Sequence, residues 1–130
     1  MSSKPETRFI ASVHTHLPVS LHKEKMNNPY RGGTADVWYS GKRADLWVEY
    51  KFLPCLPVRS AISTNLTALQ LAWLANRYEE GRSVWVIIGC KDGGVVLTAK
   101  YWEMPITVSA FKDLLSTRKE LAWRITAHCS

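Results

Sequence analysis

The sequence predicts a mixed α/β sandwich around one central sheet, with elements in the order helix, three strands, helix, two strands, helix (α-β-β-β-α-β-β-α). Three observations carry that prediction. Apolar residues recur at every second position near 46–52, they recur at helical spacing around 9–17 and 66–78, and residues 83–90 form a nearly unbroken β-branched apolar run.

Ser3-Lys4-Pro5-Glu6 opens the first helix, because Pro suits the first turn and Glu6 stands three residues after Ser3, the spacing of a capping box. Phe9, Ile10, Val13 and Leu17 form its apolar stripe, and Pro18 stops it. Residues 19–26 alternate loosely, as in a strand with one exposed face, until Asn27-Asn28-Pro29 breaks them. Arg31-Gly32-Gly33 then leads into a hairpin, GTADVWYSGKRADLWVEYK, turning at Ser40-Gly41-Lys42 with Gly41 free to take a positive φ. On its second strand Leu46, Val48, Tyr50 and Phe52 share one face, and Asp45, Trp47, Glu49 and Lys51 share the other. Pro54 and Pro57 end that strand, and a loop carrying Arg59 follows.

Thr64 or Asn65 caps the second helix, with Leu66, Leu69, Trp73 and Tyr78 inward and Gly81 at its C-terminus. Residues 83–90 read as a strand buried on both faces. Asp92-Gly93-Gly94 turns it into an antiparallel neighbour at 95–102. Thr107 or Ser109 begins a last helix with Val108, Phe111, Leu114 and Leu115 inward. Residues 123–130 carry no clear pattern, and His128-Cys129 reads as a frayed end.

The 130 residues, 46% hydrophobic with six Trp, suit a single domain over 1–130. A net charge of +6 favours a polyanionic partner, either nucleic acid or an acidic membrane surface. No apolar run approaches the roughly 18 residues of a membrane span, and Pro5, Glu6 and Arg8 interrupt any signal peptide. Cys55, Cys90 and Cys129 form no CxxC pair and are odd in number, so the expectation is reduced thiols in the cytoplasm.

Chemistry centres on the hairpin. Glu49 and Lys51 project to one side, and Asp36, if it lies across the ladder, joins them. Hydrolysis of a phosphodiester needs an activated water and charge neutralisation at phosphorus. Asp36 and Glu49 are hard oxygen ligands for Mg²⁺ or Mn²⁺, with the Tyr50 backbone carbonyl a third, and Lys51 can orient water or stabilise negative charge. Lys23, Lys25, Arg31, Lys42, Arg43 and Arg59 flank this set in sequence and are candidate phosphate contacts. Plainer readings stand beside these: a solvated strand face for Glu49 and Lys51, a turn cap for Asp36, a neutral helix residue for Gln70. His14 and His16, two apart on a helix, face different ways and share no metal.

Asp36, then Glu49-x-Lys51 after a hairpin, then a helix carrying Gln70, resembles the PD-(D/E)XK nuclease superfamily. The layout GTADVWYSG…LWVEYK…LTALQLAWLANRYEEGRSVWVII is similar to its VRR-NUC and Holliday-junction-resolvase-like branch, many members of which are viral. The resemblance spans roughly residues 5–98. It implies a restriction-endonuclease-like core, a Mg²⁺-dependent endodeoxyribonuclease acting on branched DNA as a homodimer, and Gln70 as a fourth member of the active site. It also suggests a phage-type protein working in host cytoplasm. Ala35 replaces the usual proline before the aspartate. The first-helix acid of some relatives falls on Glu6 or Glu24, Glu6 being equally the partner of Ser3. A non-catalytic nucleic-acid-binding or inhibitor protein on the same scaffold is the competing reading.

Overall fold

The computed structural model describes residues 4–26 and 32–130. The elements are α1 (Pro5–His14), β1 (His22–Lys25), β2 (Val37–Ser40), β3 (Asp45–Phe52), α2 (Ala68–Glu79), β4 (Val84–Cys90), β5 (Gly93–Leu97), a short 3₁₀ turn (Tyr101–Glu103), α3 (Val108–Leu114) and α4 (Arg118–Cys129). The strands form one sheet in the order β1-β2-β3-β4-β5; β3 and β4 run parallel, and the other neighbours run antiparallel. The parallel pair is joined through α2, as a parallel connection requires.

Each face of the sheet is covered by helices. Phe9, Ile10 and Val13 of α1 and Leu121, Ala122, Ile125 and Cys129 of α4 pack on Val37, Tyr39, Leu46, Val48, Tyr50 and Ile87. Leu74 of α2 and Phe111 of α3 pack on Val84, Val86, Ile88 and Val95. Both faces of β4 are therefore covered and all seven of its residues are buried, which explains the unbroken apolar run.

The core α-β-β-β-α-β-β-α order is as the sequence predicts, with differences at the ends of elements. The first strand is shorter than 19–26, and Val19 is fully exposed. The α2 cap is Thr67, not Thr64 or Asn65. Leu69 is 63% exposed while Leu74 is fully buried, so the apolar stripe is centred on Leu74 rather than Leu69. Strand β5 stops at Leu97, where Ala99 and Lys100 take left-handed backbone and redirect the chain. The last helix is two helices, and α4 carries its own capping box from Thr117 and Glu120. Gly41 does not use a positive φ. Its reason is proximity: a Cβ there would collide with the Cys129 carbonyl, which accepts the N–H groups of Arg43 and Ala44 at 2.8 and 3.1 Å. The hairpin tip thus closes the C-terminus of α4, and Cys129 is buried rather than frayed.

Candidate active site

Strand β3 is the axis of the site. The β2–β3 register pairs Val37 with Val48, so Asp36, one residue before β2, stands at the position opposite Glu49. It sits just off the strand rather than on it, and its Oδ2 accepts the Tyr50 N–H at 2.8 Å. A residue's N–H and C=O share one edge of an extended strand. The Tyr50 carbonyl therefore faces the same gap beside Asp36.

Glu49 projects to the α2 face and is 2% exposed. Its Oε2 accepts Gln70 Nε2 at 3.1 Å, and its Oε1 is buried without a hydrogen-bond partner. Burial first, then the charge of Asp36 and a hydrogen bond that the Glu49 acid form makes to it, pushes its carboxyl up to about 9, against the pull of Lys51. A carboxylate in that state is costly unless a proton or a cation compensates it.

Gln70 is held by the first turn of α2. Its Oε1 accepts the Thr67 N–H at 2.9 Å, and Thr67 Oγ1 accepts the Gln70 N–H at 3.1 Å. This is a capping box, and the amide nitrogen left over is the group that reaches Glu49. The turn is brought close by Gly33, whose φ of +94° and lack of a Cβ let the Leu69 backbone pack against it.

Glu6 lies in the first turn of α1, whose N-cap is Lys4 without a side-chain cap bond; Ser3 lies outside the described residues. The Glu6 carboxyl is pushed up by burial and then by Asp36, and drawn down by Lys51, so it lies within electrostatic reach of the site. Glu24 is exposed on β1, opposite Trp38. Among the described residues no three His, Cys, Asp or Glu side chains form a metal-holding group. The donors here are two carboxylates and a carbonyl, hard oxygens suited to Mg²⁺ or Mn²⁺, and the unpartnered Glu49 Oε1 fits a cation among them.

The flanking cations separate in space. Lys23 and Lys25 share the α1 face of β1 with Tyr39 and Val37 as partners, and Lys25 acts on the Glu6 carboxyl. Lys42 and Arg43 sit at the hairpin tip, the end of β2 away from Asp36, and Arg43 donates to the Ala127 carbonyl at 3.1 Å. Arg59 is exposed in the loop after β3, and Arg31 lies outside the described residues. Sequence proximity missed a different group: Arg8, Lys91 and Arg118 line a depression of about 440 Å³ beside Phe9, Ser12 and Phe52. Arg118 is fixed there by Ser12 Oγ at 2.8 Å and the Lys91 carbonyl at 3.1 Å. Positions 8, 91 and 118 share no local motif, so only the fold brings them together.

Behind the site, Tyr50 crosses to the α1 face. Its hydroxyl meets that of Tyr39 at 2.6 Å, and Tyr39 meets His14 Nε2 at 2.7 Å. Burial, then Lys23 and Lys25, lowers His14 to about 4, so the ring is neutral at ordinary pH. His14 is a packing residue of this chain of hydrogen bonds.

No family model matches the sequence, and no curated protein is similar to it. Among solved structures the fold is similar to that of Hjc, a Holliday junction resolvase from the archaeal hyperthermophile Archaeoglobus fulgidus. The TM-score is 0.57 at 15% identity, covering 90% of this chain and 99% of that one. At that identity the likeness is one of fold: a mixed five-stranded sheet flanked by helices, of the restriction-endonuclease-like kind.

Proposed function

We propose that the chain is a Mg²⁺- or Mn²⁺-dependent endonuclease that hydrolyses DNA phosphodiester bonds, selective for branched DNA such as a Holliday junction. The observation that carries this reading is the buried Glu49 carboxylate, one oxygen clamped by Gln70 and the other unpartnered, beside Asp36. Asp36, Glu49 and the Tyr50 carbonyl would hold the cation, with Glu6 at the rim. Bound there, it supplies positive charge at the scissile phosphate and acidifies water. Lys51 shares the face of Glu49, and its ammonium stabilises charge on the phosphate and orients the attacking water. Gln70 keeps Glu49 aimed. Arg8, Lys91, Arg118, Lys23 and Lys25 grip backbone phosphates without reading bases. That the structural neighbour is a Holliday junction resolvase supports the choice of substrate.

A second copy would supply the second cut, docking on the apolar groove of about 380 Å³ that includes the exposed Tyr101, Met104 and Leu114; sedimentation of the purified chain tests this. Cleavage of a labelled four-way junction, a duplex and a single strand with either cation tests the function. Loss of cleavage in Glu49→Gln and Lys51→Ala is expected, and intact cleavage in either would overturn the assignment. Ala35 in place of the proline usual before the aspartate favours a second reading, a non-catalytic DNA-binding or inhibitor protein. That reading predicts salt-sensitive DNA binding, no cleavage, and no heat on titration with millimolar Mg²⁺.

A further inference from the structure

We infer that the aromatic groove leading away from Glu49 along α2 binds an unpaired nucleobase, so that among branched DNAs those with a single-stranded arm are preferred over fully paired ones. The inference rests on the nuclease reading above. Trp47 lies two residues before Glu49 on the same face of β3, roughly 7 Å away by strand rise. Trp73 lies three residues, about one turn, after Gln70 on α2. Both rings belong to a run of π-groups across the sheet: His22 on Trp38 at 5.1 Å, Trp38 stacked on Trp47 at 5.8 Å, Trp73 edge-on to Trp47 at 5.6 Å, and the Arg77 guanidinium 5.7 Å over Trp73.

Trp47 and Trp73 line an open groove of about 530 Å³ together with Asp45, Arg77, Glu80 and Arg82. Thr34 and Met26 close its wall on the Asp36 side, Met26 donating to the Asp36 carbonyl at 2.8 Å. Glu80 holds both guanidiniums, at 2.7 Å to Arg77 and 3.1 Å to Arg82. Two cations against two carboxylates leave the lining without net charge, so a phosphate gains little there. A flat, neutral group with donors and acceptors on its rim matches it, and an unstacked base is such a group. Two buried donors at this face, Trp38 Nε1 and Arg77 Nε, have no hydrogen-bond partner. The all-basic depression of Arg8, Lys91 and Arg118 is the contrasting surface, suited to phosphates.

The test uses the full chain in EDTA, with a hairpin DNA bearing a short single-stranded flap and the same DNA with abasic residues in the flap. Anisotropy should give about tenfold tighter binding to the base-bearing flap, with quenching of Trp fluorescence. That ratio should persist between about 50 and 200 mM salt, whereas absolute affinity falls steeply. In Trp73→Leu, and separately in the exposed Arg82→Ala, the ratio should shrink towards one. Equal binding of both flaps by the unmodified chain overturns the inference and depends on no variant. Cleavage with Mg²⁺ is scored separately: a preserved ratio without cleavage removes the nuclease reading and keeps the groove, and cleavage with a ratio of one does the reverse.

Discussion

Neighbouring residues of β3 show two ways of burying a polar group. Glu49 and Tyr50 point to opposite faces and are both buried. On the α1 face the Tyr50 hydroxyl ends in a closed relay to Tyr39 and His14. On the α2 face Glu49 has one oxygen held by Gln70 and one whose neighbouring group is the Asp36 carboxyl, a partner for the acid form and a repulsion for the carboxylate. A satisfied buried network rigidifies the strand, and an unsatisfied one stores a demand for a partner from outside. The Tyr50 backbone links the faces, since its N–H holds Asp36. The relay thus fixes the strand from which the acid pair is presented.

The largest effects should come from the unsatisfied side. Removing the Lys51 ammonium in Lys51→Met should lower junction cleavage by about 10²–10³-fold with folding intact, as for other groups stabilising developing charge. Glu49→Gln should abolish cleavage to a similar extent while leaving stability unchanged or raised, because a neutral amide replaces a buried acid. Urea midpoints and single-turnover rates on the same preparations check both. A variant that loses activity only in proportion to lost fold would contradict the role.

Gln70 separates position from structure. Gln70→Ala removes a cap contact and the Glu49 clamp together, whereas Thr67→Ala removes the cap bond alone. Each should lose about 1 kcal/mol of stability. Only Gln70→Ala should also cut the cleavage rate, by roughly tenfold. Equal rates in the two variants would reduce Gln70 to a capping residue.

The fold was legible where periodicity is strong. Residues 45–52 alternate and residues 83–90 do not, and those patterns fix one half-exposed and one fully covered strand. The acid pair was legible because period two places Glu49 and Lys51 together and a hairpin places Asp36 opposite. Local signals failed where several competed: Thr64, Asn65 and Thr67 are all able to cap, and only Thr67 has Gln at its third helical position, the pairing that wins. The tail was unreadable because α4 buries its apolar residues against α1 and the strands of the hairpin, which lie far away in sequence. Thr117-x-x-Glu120 was its one local mark. Lys42 and Arg43 show the converse error, being near the site in sequence and at the far end of the strand in space.

A change of pH sets the two faces against each other. Glu49 has a folded pKa of about 9 against an ordinary 4.5, so the folded chain keeps a proton that the unfolded chain has lost. Stability from this group is full below about 4.5 and declines towards pH 9, by at most about 1.4 kcal/mol per pH unit. His14 is shifted to about 4 from 6.5, so the unfolded chain takes up a proton that the folded chain refuses. Its contribution is full above about 6.5 and is lost as pH falls towards 4. The two slopes oppose between about 4.5 and 6.5, giving a plateau, with a decline above it owed to Glu49. Urea midpoints from pH 5 to 8 should lose that alkaline decline in Glu49→Gln, while His14→Gln should convert the plateau into a fall with rising pH. Millimolar Mg²⁺ should flatten the alkaline limb of the unmodified chain, because a cation favours the carboxylate over the acid. An alkaline limb unchanged in Glu49→Gln would place the titrating group elsewhere, and with it the demand that the α2 face is taken to store.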